Sequence, residues 1–144
     1  MPAPADIQTT NGGGPQGRPA TGDKMIFTFA GALNPPLVLA GWNGAPTAVT
    51  LRITGNGKND VVTVLNAANG AQLALGSVQL GGNYVNNTTA NFTRSTMTLS
   101  GNVVTVVLGT LSTGKVLDQK KAATMIWMAP SGTANESGPA DNDF

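Results

Sequence analysis

Seven carboxylates carry most of the chemistry this chain could perform: Asp6, Asp23, Asp60, Asp118, Glu136, Asp141 and Asp143. Two carboxylates held at a fixed separation can divide acid and base work in hydrolysis of a glycosidic or peptide bond. Both would need a rigid element beneath them, and nearly all seven fall in loops or terminal segments, where catalytic tolerance is not kept. Histidine is absent, and with it the usual general base near neutral pH and the commonest zinc ligand. Cysteine is absent too, which removes thiolate nucleophiles, disulfides and soft-metal sites. A serine or threonine nucleophile would depend on Asp, Glu or Lys as its base. Lys24 and Lys58 sit beside turns, where lysines are ordinarily solvated. These residue types predict a protein that is not an enzyme, with no catalytic, cofactor-binding or metal-binding residues.

Weaker patterns each have a plainer explanation. Asp141-Asn142-Asp143 offers alternate oxygen ligands of the kind calcium takes, but one such triplet in a tail reads as a solvated acidic end. The run NGGGPQG (residues 11–17) has no strand before it and no GK[ST] ending, so it reads as a flexible linker and not a phosphate loop. The sequons at Asn86, Asn87, Asn91 and Asn135 are what chance gives in an Asn/Thr-rich chain. Trp42 and Trp127 are read as core residues rather than sugar-stacking platforms.

Of 144 residues only 10% are charged, against about 25% in ordinary soluble domains, and the net charge is +1. No basic patch points to nucleic acid or an anionic membrane. No apolar run approaches the roughly 20 residues that span a bilayer. The first residues have neither a basic nor an apolar signal region, so synthesis in the cytoplasm without a signal peptide is expected. A surface of hydroxyls, amides and glycine suits permanent burial against neighbours or life outside a cell.

The elements that must position these residues are strands. From Lys24 to Met128 the apolar pattern has period two. Strands are expected at Met25–Phe29, within TAVTLRIT (47–54), at Asp60–Leu65, across 71–80 with a bend at Gly76, at Ser95–Leu99, at Asn102–Leu108 and at Ala123–Met128. Gly55, Asn56 and Gly57 supply the positive φ of a tight turn before Asp60, and Ser100-Gly101-Asn102 closes another hairpin. Short turns of helix are expected at Asn34–Trp42 and at Val116–Lys121. Seven or eight short strands between Gly/Asn turns predict an all-β, antiparallel, Ig-like β-sandwich over 23–130.

Two strands are apolar on both faces: Val103 and Val107 oppose Val104, Val106 and Leu108, and Ile126 and Met128 oppose Met125 and Trp127. Either a loop or tail covers these outer positions or a subunit does. Before the domain, residues 1–22 form a Gly/Pro-rich extended arm with only Met1 and Ile7 as large apolar groups. It buries too little to offset its ordering entropy alone, so a partner chain is expected to hold it. The candidate partner-binding residues are Ile7, Gln8, Thr9, Pro15, Arg18 and Pro19. Residues 131–144 form a second, acidic tail, whose Glu136, Asp141 and Asp143 could pair with Lys115, Lys120 and Lys121.

The stretch Gly22–Thr54 resembles a bacterial, actinobacterial-type Ig-like β-sandwich domain. Gly22-Asp23, Phe27, Phe29, Pro35, Gly41-Trp42 and Gly44 fill the family's pattern; Ala30-Gly31 and the end of the chain depart from it. The NDVVTVLNAANGAQLALGSVQLG stretch and TMIWMAPS extend the likeness over nearly the whole domain. Modules of this sort are similar to those on tailed-phage virions. The resemblance therefore implies a non-enzymatic virion structural protein, a head decoration (minor capsid) protein on the capsid surface. Its implied partners are the major capsid protein, neighbouring copies of itself and weak cell-surface or glycan contacts. The alternatives are an adhesive, carbohydrate-contacting module of a bacterial surface or phage tail, and a tail structural subunit.

Overall fold

Alternating β-branched and apolar residues become strands where the pattern is longest, and distant residues recruit three further strands. The computed structural model describes residues 2–56, 58–118, 123–130, 135–136 and Phe144. In chain order the strands are β1 (Pro4–Thr10), β2 (Lys24–Phe29), β3 (Thr47–Thr54), β4 (Val61–Asn66), β5 (Ser77–Gln79), β6 (Thr89–Ser100), β7 (Val103–Val107), β8 (Thr110–Thr113), β9 (Ile126–Met128) and β10 (Asn135–Glu136). The one helical element among the described residues is a single 3₁₀ turn, Pro35–Leu37, opened by its two prolines. No helix among them is long and apolar enough to cross a membrane.

The class is all-β and antiparallel. The strands form one continuous sheet in the order β1-β2-β7-β6-β3-β4-β5-β9-β10, with β8 pairing β6 alongside β7. β1 lies against β9 and β10, so the two ends of the sheet come together and the whole is nearly a barrel around one core. The all-β, antiparallel class expected from the sequence is shown; a division into the two sheets of a sandwich is not.

β6 is the spine. It pairs with β3 along one edge and with β7 and then β8 along the other. It changes partner at Thr93-Arg94, where Arg94 takes φ 57° and the register shifts, as at a bulge. Ser95 fixes the bend: its hydroxyl donates to Phe92 O at 2.8 Å and accepts from Gly109 N at 2.9 Å. A Cβ on Gly109 would lie 2.1 Å from Thr93 O, so only glycine fits between β7 and β8.

Inward positions fill the core. Met25, Phe27, Phe29, Val49, Leu51, Ile53, Val62, Val64, Val78, Phe92, Met97, Val104, Val106 and Trp127 are all buried. Trp127 meets Phe27 and Phe29 edge-on, at centroid distances of 5.2 and 4.9 Å. Its indole N–H donates to Leu75 O at 2.7 Å, so the largest core side chain leaves no buried donor orphaned. Trp42 is buried as well and donates to Ala45 O.

Three expectations change. The 71–80 strand shortens to β5 because Gly76, at φ 76°, would place a Cβ 2.0 Å from Met128 O; the chain bends there to let β9 in. The turn before Asp60 is built by a side chain: Asn56 Oδ1 accepts from Lys58 N and Asn59 N. Gly55 has no positive φ and serves close packing against Val85 and Asn87 instead, while Gly57 lies outside the described residues. The third change concerns residues 4–10, expected in an arm held by another chain. They form β1, paired with β2 from Pro4↔Phe29 to Thr10↔Lys24, with Ile7 fully buried opposite Phe27. The chain's own sheet edge supplies the surface that this segment lacks by itself.

Truncating Ile7 should therefore cost the fold dearly. Ile7→Ala is expected to lower unfolding free energy by about 2–4 kcal/mol. Leu37→Ala, at a residue 48% exposed, should change it by less than about 0.5 kcal/mol. Equilibrium denaturation of both variants checks this, and a silent Ile7→Ala would mean that β1 is not part of the core.

Candidate functional site

Two carboxylates that immediately precede strands are both fully buried and both engaged by backbone. Asp60, at the start of β4, accepts from Tyr84 N (2.6 Å) and Val85 N (2.8 Å) through Oδ2, and from Asn56 N (3.2 Å) through Oδ1. Asp23, at the start of β2, accepts from Gly12 N (2.8 Å) and Ala20 N (2.9 Å). Each ties loop amides to a strand end, as a charged acceptor does with buried N–H groups. Among the described residues no group of three or more His, Cys, Asp or Glu side chains could hold a metal ion. The sequence puts Asp60 at the start of an expected strand and Asp23 just ahead of one; their role as clasps depends on amides 11 and 24–25 residues away.

Around Tyr84 four separate segments meet. Tyr84 O accepts from Leu117 N at 2.7 Å, and its ring packs edge-on against Phe144 at 6.0 Å. Phe144 is fully buried, and its carbonyl accepts from Gly17 N at 2.5 Å. Next to it, Arg18 Nε donates to Asp118 Oδ1 at 2.5 Å, an exposed pair of small energetic weight that fixes the loop's path. The phenol oxygen of Tyr84 is buried without a hydrogen-bond partner. Burial first, and the nearby Asp60 charge second, push its pKa up from 10.0 to about 12. The junction is thus an apolar lock around a phenol held neutral. Its key residue, Phe144, gave no signal in a tail with a single large apolar side chain.

The residues expected to bind a partner are distributed as follows. Ile7, Thr9 and Pro19 are buried within the chain, Gln8 is half-buried on the outer face, and Pro15 and Arg18 are exposed on the loop between β1 and β2. Val103, Val107, Ile126 and Met128 are half-buried and point outward. The tail carboxylates Asp141 and Asp143, with Lys120 and Lys121, lie outside the described residues, as does the side chain of Glu136.

Across β1, β2, β7 and β6 the outward residues run in three rows. They are Asp6–Thr28–Val103–Ser100, Gln8–Ile26–Thr105–Thr98 and Thr10–Lys24–Val107–Thr96. Twelve positions carry one acid and one base; the rest are hydroxyls, an amide and three half-buried aliphatics. Elsewhere, a depression of about 300 Å³ beside the Trp42 turn is lined by Leu39, Ala40, Asn43, Pro46 and Thr47. It contains no titratable group. The indole there is spent on Ala45 O, and neither Trp42 (6% exposed) nor Tyr84 (0%) presents a ring face on which sugar could stack. A comparison with known protein families, curated proteins and solved structures finds no match.

Tyr84 gives the fold a measurable alkaline limit. Its raised pKa means that the folded state holds the phenol proton more tightly than the unfolded chain. The stabilisation is complete below pH 10.0 and is lost as pH rises toward about 12. Tyr84→Phe removes an unsatisfied hydroxyl, so it should raise neutral-pH stability by about 1 kcal/mol and flatten that alkaline fall. Denaturation across this range, with tyrosinate absorbance as a readout of the only tyrosine, checks both. At the neighbouring clasp, Asp60→Ala should destabilise by about 3 kcal/mol or more and Asp60→Asn by less, since the amide keeps one acceptor. Equal stability of all three proteins would show that the carboxylate holds nothing.

Proposed function

We propose that this chain is a non-enzymatic structural protein that works as one of many packed copies, as a decoration (minor capsid) protein on the surface of a phage head. The observation that carries the structural role is the outer face of β1, β2, β7 and β6, a broad, nearly uncharged sheet surface with Ile26, Val103 and Val107 set among threonines. Such a face loses little on desolvation, because it has few charges to strip of water and its aliphatics gain from cover. The burial of both Asp23 and Asp60 among backbone amides supports a non-catalytic role. The placement on a virion rests on the resemblance of Gly22–Thr54 to Ig-like modules carried by tailed phages. The partners on this reading are the major capsid protein and neighbouring copies, engaged through the outer face and not through a free N-terminal arm.

Particles purified from the virus that encodes the chain should contain it in a fixed ratio to the major capsid protein. Recovery only in the tail fraction, or only outside particles, overturns the proposal. Val103→Lys with Val107→Lys places two charges on the outer face at half-buried positions. With folding verified by circular dichroism, the variant should attach at least about tenfold more weakly, a loss of about 1.4 kcal/mol or more.

A further inference from the structure

We infer that β1 is an exchangeable strand, and that the slot it fills in its own chain accepts the β1 of a second copy. This goes beyond the proposed function and would hold for an assembly of any kind.

Four observations carry it. First, β1 is the first strand and lies at one end of the sheet order, and among the described strands its ladder is with β2. Its exchange leaves the other described strand pairs in place. Second, the slot cannot stay empty. Ile7 lies opposite Phe27 in the ladder and belongs to the same buried cluster as Phe29 and Trp127. Withdrawal exposes that cluster to water, and the one filler of matching register is another β1. Third, the connection from Thr10 to Lys24 holds five glycines, three of them at positive φ: Gly13, Gly17 and Gly22. Its neck is formed by Gly12 against Gly22, where a Cβ would sit 2.0 Å from Gly22 O. Opening this neck turns residues 12–22 into a bridge between two copies, at little steric cost for glycine. Fourth, contacts that hold the neck shut lie outside the β1–β2 ladder: the Asp23 clasp, the bonds from Gly22 N to Leu108 O and from Thr21 Oγ1 to Gly109 O, the Gly17–Phe144 bond and the exposed Arg18–Asp118 pair.

The exchanged and closed forms contain the same β1–β2 ladder and the same buried Ile7, so concentration decides between them. A short flexible connection keeps β1 at an effective concentration on the order of millimolar beside its own slot. A dilute chain is therefore closed, and copies crowded on a common surface reach the range in which strands trade places.

The absence of cysteine makes the test clean. Thr10 and Lys24 are both exposed and directly opposite in the ladder. In Thr10→Cys/Lys24→Cys, a short bifunctional thiol cross-linker joins the two within a chain when β1 is at home and between chains when it is exchanged. The protein is warmed near its unfolding midpoint, cooled at concentrations from about 10 µM to 1 mM, cross-linked and separated under denaturing conditions. The interchain product should rise roughly in proportion to concentration, in step with dimers seen by light scattering. Dimers that contain only intrachain links would mean association through another face and overturn the inference, as would monomers throughout. If that pair fails to fold, Gln8→Cys/Ile26→Cys, one row along the same ladder, gives the same readout. A monomer that still enters particles would sink strand exchange while leaving the structural role intact.

Discussion

Trp127 must be dry and must also keep its indole N–H bonded, and most of the architecture follows from meeting both demands. The acceptor is Leu75 O, just before β5, so β9 has to run beside β5. That is possible only because Gly76 has no side chain where Met128 O passes. The ring faces Phe27 and Phe29 of β2, which lies far from β9 along the hydrogen-bonded path. Bringing β2 to β9 across the interior curls the sheet on itself. Curling in turn leaves the far edge of β2 facing the core, and β1 closes it with Ile7. Bend, closure and recruited strand thus share one cause: a large aromatic is buried without sacrificing its polar atom.

The polar groups follow a matching economy. Asp23 and Asp60, the buried acids just before β2 and β4, gather loop amides, because a bent sheet with long connections has many N–H groups that no ladder reaches. Threonine is the commonest residue on the outer face, and it suits both strand geometry and contact with water. The result is a shell whose interior is occupied by packing and whose outer face over β1, β2, β7 and β6 carries one acid and one base.

How much of this is legible in the residues depends on how far apart the cooperating groups lie. VVTVVL and TAVTLRIT declare strands by themselves, because alternation is a property of neighbours. The burial of Trp42 and Trp127 follows from their apolar flanks, and the lack of histidine and cysteine is read directly. PADIQTT does not declare a strand: with Ile7 as its one large apolar group, it has no periodic signal. TLST in β8 is silent for the same reason. Phe144, Tyr84 and Gly17 are separated by 60 residues or more, and nothing local links them.

The sequence by itself determined a sparsely charged, antiparallel all-β chain with its large aromatics inside, since composition and period are local quantities. Only the tertiary structure decided that the sheet is continuous and nearly closed, that residues 4–10 complete it, and that two acids serve as clasps. Those outcomes arise from burial shared between distant residues. A single isoleucine is too weak to order its own segment, yet it is strongly held once Phe27 and the Trp127 cluster stand behind it.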